Sequence, residues 1–111
     1  MKSQHITLGS VCYRLKDAKF FARNWIQVIP DPMWSGATEL VLIALMRKLQ
    51  KEKGKHWDLS DLRHLAQSSN KDLIEVIRTY QPKLGRSLES ESRTFNALML
   101  NVQIALSGLI A

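Results

Sequence analysis

Three prolines and five glycines are all that interrupt these 111 residues, and they gather at a few places. The run Pro30-Asp31-Pro32-Met33-Trp34-Ser35-Gly36 predicts a loop, because each proline disfavours helical backbone in the residue before it. Gly54, preceded by lysines, ends the next segment as a helix C-terminus would. Pro82 and Gly85 punctuate the final connection. Between these breaks apolar residues recur with period 3.6 rather than 2. Only residues 6–13 leave room for a strand, so the chain is confined almost wholly to helices.

Residues 15–29 place Ala18, Phe21, Ala22, Trp25, Val28 and Ile29 in one arc at 100° per residue, and Lys16, Lys19, Arg23 and Gln27 in the opposite arc. A second helix is predicted over residues 38–53. Its first two turns, Leu40-Val41-Leu42-Ile43-Ala44-Leu45-Met46, are apolar all round, which requires burial on several sides. Its second half turns Leu45, Met46 and Leu49 inward and Arg47, Lys48 and Lys51 outward. Asp58 caps a short helix over residues 59–67, with Asp61 three residues on in a box-like position. Ser69 or Asn70 caps a fourth helix through Tyr80, with Leu73, Val76, Ile77 and Tyr80 inward. The last helix is expected to begin near Leu88, with Ser87 as cap and Glu89 and Glu91 against its positive end. It continues inward through Phe95, Leu98, Val102, Ala105, Leu106 and Leu109. The expected fold is all-α, a single compact bundle of about five helices forming one domain over residues 1–111.

A chain of this length buries roughly two-thirds of the surface its unfolded form would expose. The lone Cys12 excludes an internal disulfide and fits a reducing compartment. The start, MKSQHITLGSVCYRL, has no apolar stretch followed by a small-residue cleavage site. The longest wholly apolar run, residues 40–46, is far short of the ~20 needed to cross a bilayer. These features predict a cytoplasmic protein with no membrane partner.

The net charge is +6, and all of it lies in residues 1–55, where ten Lys/Arg face four acids; residues 56–111 carry six of each sign. A one-sided field of this kind points to a polyanionic partner, and phosphate backbones are the commonest. Lys16, Lys19 and Arg23 form one strip at i, i+3 and i+7, with Phe20 on its edge, where a ring can stack on an exposed base. The bland alternative is a solvated face with Phe20 lodged in a groove. The second cluster, Arg47, Lys48, Lys51, Lys53 and Lys55, holds five cations and one acid within residues 46–55. Compensation of a helix C-terminus needs one or two cations rather than five. Five to seven neutralised phosphates would give a log–log salt slope of roughly −3.5 to −5 on a single strand, with little sequence information in the contact.

No catalytic constellation accompanies this charge. His56 and His64 lie eight apart, Asp61-x-x-His64 is a helical pair, and Cys12 lacks a cysteine partner, so no four-ligand metal site is built. The acid pairs Asp58/Asp61 and Asp72/Glu75 sit where capping explains them. No G-x-S-x-G surrounds a serine and no glycine loop cradles phosphate. The expectation is a non-enzymatic binder without cofactor or metal. Residues 59–80 can be compared with a helix-turn-helix, but Ser69 and Lys71 stand where apolar anchors belong, and Asp72 and Glu75 would meet phosphate unfavourably. Trp25 falls in the core arc. Trp34 and Trp57 lie in connections, either as interface anchors or as lids over the bundle ends.

In size, helix content and the concentration of charge on two helices, the chain resembles the small subunit of type I, Cascade-like CRISPR effector complexes. That resemblance implies several copies stacked in an RNA-guided complex involved in antiviral defence, beside the guide RNA–target DNA heteroduplex. Basic surfaces would then hold the displaced non-target DNA strand, carried here by Lys16, Lys19, Arg23, Arg47, Lys48, Lys51, Lys53 and Lys55. Two other readings compete with it: a helix-turn-helix regulator using residues 70–78, and a protein-interaction adaptor whose lysines only solubilise it.

Overall fold

The computed structural model describes residues 6–89 and 92–108. They form α1 (Leu8–Val11), α2 (Leu15–Trp25), a 3-10 turn (Ile26–Val28), α3 (Pro32–Lys53), α4 (Leu59–Ala66), α5 (Asn70–Tyr80), α6 (Pro82–Glu89) and α7 (Ser92–Ser107). The all-α class holds, and no strand occurs among the described residues. Among the described residues seven helices stand where about five were expected. The two additions are α1, in the stretch that left room for a strand, and α6, carved from the last connection.

α3 is the axis of the bundle. Val41 through Met46 are buried at six successive positions, and of the apolar run only Leu40 reaches solvent, at 38% exposure. α2, α4, α5 and α7 all pack on it, while α6 packs on α5 and α7. A helix with apolar side chains around its whole circumference gains burial only if neighbours cover it from several directions.

The expected loop at residues 30–36 is mostly helix. Asp31 is extended, as a residue before proline should be, and its carboxylate accepts a 2.9 Å bond from the Met33 N–H. Pro32 occupies the first helical position, where its missing N–H costs nothing and its fixed φ suits the helix. Proline here starts a helix rather than preventing one. The first predicted helix, by contrast, stops early. α2 gives way after Trp25 to a 3-10 turn, and the tighter winding rotates Val28 off the inward arc to 57% exposure while Ile29 returns to the core.

The final helix also starts later than expected. Pro82 opens α6 as Pro32 opens α3, and Ser87, in its last turn, donates to the Lys83 carbonyl at 3.3 Å instead of capping a new helix. Leu88 is buried at the end of α6, Glu89 ends α6 rather than opening α7, and α7 begins at Ser92. Glu91 and Leu109 lie outside the described residues. Gly85 lets α6 lie against α5, since a Cβ there would come within 2.7 Å of the Arg78 Cα. The α4 box and the Ser69 cap of α5 form as expected.

Two sets of long-range hydrogen bonds lock the bundle. α4 and α7 cap one another: Arg63 Nη2 donates to the Leu106 carbonyl at 3.1 Å and Gln103 Nε2 to the Ala66 carbonyl at 3.0 Å. At the other end the N-terminal segment folds onto the α3–α4 connection. Gly9 N–H donates to the Trp57 carbonyl at 2.8 Å, Leu8 N–H to Asp58 Oδ1 at 2.8 Å, and Thr7 Oγ1 to the Lys55 carbonyl. Trp57 is 1% exposed, a core residue beneath this clamp and not a surface anchor. Trp34 is half-buried against the same core.

Gly9 can approach this closely only because it lacks a side chain: a Cβ there would meet the Trp57 ring at 2.5 Å and the Lys55 carbonyl at 2.7 Å. Gly9→Ala should therefore destabilise the protein by about 1–3 kcal/mol, the usual result of overpacking, with a lowered urea midpoint and an unchanged m-value as the check.

Candidate nucleic-acid interface

α2 and α3 are antiparallel, tied at both ends. Gln50 Nε2 donates to the Arg14 carbonyl at 3.0 Å near the start of α2, and Arg23 Nη2 approaches Glu39 Oε2 at 3.8 Å near its end. They face each other through Ala18 and Ala22 on α2 and the buried flank of α3 around Ile43 and Met46. In an antiparallel pair so oriented, the 100° step per residue brings Lys19 and Arg23 out of α2 on the same flank by which Arg47 and Lys51 leave α3. Of the second cluster only Arg47 and Lys51 share this flank with the α2 strip; Lys48, Lys53 and Lys55 turn to Glu52, Asp61 and Tyr13.

The partners of these cations differ. Lys16, Lys19 and Lys51 are exposed and make no ion pair among the described residues. Arg47 Nη1 donates to Gln50 Oε1 at 2.8 Å and keeps its full charge. Among the described residues Arg23 has only the long contact to Glu39. Lys48, however, pairs with Glu52 at 2.8 Å and Lys53 with Asp61 at 3.2 Å. Both are half-exposed pairs of the kind worth little to stability, but each offsets a charge that the sequence pattern counted as available. Phe20 stands 64% exposed beside Lys16, Lys19 and Arg23, edge-to-face with Phe21 at 5.5 Å between ring centroids. It is not lodged in a groove.

Lys55 has a different setting. Its Nζ lies 4.3 Å from the centroid of the Tyr13 ring, with the Arg14 guanidinium 4.9 Å from the same ring. Tyr13 is thus a second ring among cations, at the α2 start. Its adjacency to Arg14 was visible in the sequence. Its meeting with Lys55, forty-two residues away, depends on the N-terminal clamp. Arg14 also donates through Nε to Asp17 at 3.1 Å. This bond is the main cause holding the Asp17 carboxyl below the usual carboxylate range and raising the Arg14 guanidinium.

Along the other side of α3, Lys48, Lys51 and Glu52 face Glu75, Val76, Thr79 and Tyr80 of α5 across a cleft of about 400 Å³. Lys51 belongs to both the cleft and the basic face. His56 and His64 are exposed, and no cluster of metal-binding side chains occurs among the described residues. Cys12 is fully buried beside Gln50 and Met46, and burial pushes its thiol up to about 11, far from a nucleophile at neutral pH. No helix among the described residues is long and apolar enough to cross a membrane. No model of a known protein family, no curated protein and no solved structure matches the chain.

Two measurements test this geometry. Phe20→Ala should change stability by less than about 0.5 kcal/mol in urea unfolding, since an exposed ring contributes little to packing. The Asp58 N–H donates to Asp61 at 2.8 Å and, together with Lys53, holds the Asp61 carboxyl below its usual range. A group depressed in the folded state stabilises above its unfolded pKa, about 3.9, and loses that contribution as pH falls through the lower folded value. Asp61→Asn should therefore flatten the decline of stability below about pH 4 in acid titrations followed by circular dichroism.

Proposed function

We propose that the α2–α3 face binds the sugar–phosphate backbone of a single-stranded nucleic acid, without catalysis and with little sequence preference. The observation that carries this reading is the run of Lys16, Lys19, Arg23, Arg47 and Lys51 along one flank of the antiparallel pair, opposed there by Glu39, with Phe20 exposed beside it. Fixed positive charge draws in a polyanion and releases its counterions. An exposed aromatic ring adds a base-stacking platform that duplex DNA, with its bases already stacked, cannot use. Lys48 and Lys53, paired with carboxylates, contribute less than their number suggests.

This reading suits a subunit that holds a strand for a larger ribonucleoprotein assembly, such as the displaced non-target strand in a type I CRISPR effector complex. The regulator reading draws less support. In a helix-turn-helix the second helix is braced by the first, whereas α5 packs chiefly on α6 and α3 rather than on α4. Its exposed face also carries Asp72 and Glu75. An adaptor with merely solubilising lysines leaves the alignment of the two strips without a purpose.

With five cations engaged, single-strand affinity should fall with salt at a log–log slope of about −3.5. The double reversal Lys16→Glu with Lys51→Glu should weaken binding of random single strands more than tenfold and flatten the slope by about 1.4. Lys71→Glu, on α5, should leave both unchanged. Fluorescence anisotropy across a salt series reads all three, and binding that survives the double reversal would refute the proposed face.

A further inference from the structure

The α3–α5 cleft opens directly beside the basic face, because Lys51 lines both. Its chemistry differs from that face. Glu52 and Glu75 line it, both half-exposed or more, with Lys48 bonded to Glu52 at 2.8 Å and Lys51 beside them, so two carboxylates balance two lysines and the cleft draws a phosphate less than the basic face does. Its wall is made by Val76, Thr79 and the half-buried Tyr80. A partly apolar wall with an aromatic ring, a rim of hydrogen-bond acceptors and about 400 Å³ of space suits a flat, neutral, amino-bearing ring system.

We infer that the cleft accepts one unstacked nucleobase of the strand whose backbone crosses Lys51, and that it favours bases carrying an exocyclic amino group. This rests on the backbone-binding reading of the α2–α3 face. A backbone held at Lys51 is at the cleft mouth, and a base turned toward α5 leaves the phosphates on the basic side, away from Glu52 and Glu75. Carboxylates accept hydrogen bonds from amino groups, as they do from cytosine N4, and thymine offers no such donor. A base can enter only when out of its stack, so the cleft favours single strands over duplexes, in addition to any contribution from Phe20.

Thr79→Leu fills the cleft from an exposed helical position without changing charge or removing a core side chain. The probes are an oligodeoxycytidylate and an oligodeoxythymidylate of about twelve nucleotides, with a random duplex of similar length. The unaltered protein should bind the cytidylate several-fold more tightly than the thymidylate. Thr79→Leu should weaken the cytidylate about fivefold or more, the low end of a lost base-stacking contact, leave the salt slope unchanged and leave duplex binding as it was. If cytidylate affinity is unchanged by Thr79→Leu, or falls equally for duplex, the cleft holds no base while the backbone reading stands. If neither strand binds the unaltered protein with a measurable salt slope, the backbone reading fails and takes this inference with it.

Discussion

α3 cannot face water along more than a narrow part of its circumference. Six consecutive buried residues, Val41 through Met46, point in all directions from its axis, and each exposed methylene would forfeit about 0.8 kcal/mol of burial. The remaining helices are arranged by the need to cover it: α2 on one flank, α7 and α5 on others, and α4 near its C-terminal end. α3 still reaches solvent at Met33 and Leu40 in its first half and at Lys51, Glu52 and Lys53 at its end, with Arg47 half-buried. The candidate site takes its α3 residues from what the core leaves over.

The relation of α2 to α3 is set by packing and by polar contacts. The fully buried residues of α2 are Ala18 and Ala22, which allow close approach, while Phe21 and Trp25 pack part-buried against the core, and a polar contact adds registry. Gln50 supplies it, buried against α2 and donating to the Arg14 carbonyl while accepting from Arg47. The Gly9–Trp57 clamp fixes the segment just before α2 to the connection just after α3. Together they set the stagger at which the strip of Lys16, Lys19 and Arg23 adjoins Arg47 and Lys51. A side-chain amide and a glycine, neither charged, align the positive face.

Charge counting along the chain overstates the density of that face and understates its chemistry. Lys48 and Lys53 are partly offset by Glu52 and Asp61, one neighbour within the helix and one from α4. Tyr13, conversely, gains two cations around its ring from Lys55 and Arg14. The i, i+4 pairing of Lys48 and Glu52 follows from helix geometry and was legible in their spacing. The Lys53–Asp61 pair and the Lys55–Tyr13 contact bridge separate elements and were not.

Period and punctuation were enough to make the class all-α, to place the inward faces of α2, α3 and α5, and to mark Lys16, Lys19, Phe20 and Arg23 as one strip, because these follow from the 100° step within a single helix. Helix boundaries at proline are not legible in the same way, since proline both ends and begins helices and only a cap such as that of Asp31 on Met33 decides which. The fates of Trp57 and Lys55 and the bringing of Arg47 and Lys51 to the flank of the α2 strip came from tertiary structure alone. They depend on hydrogen bonds between residues thirty-five to fifty apart in the chain, and no local periodicity encodes those.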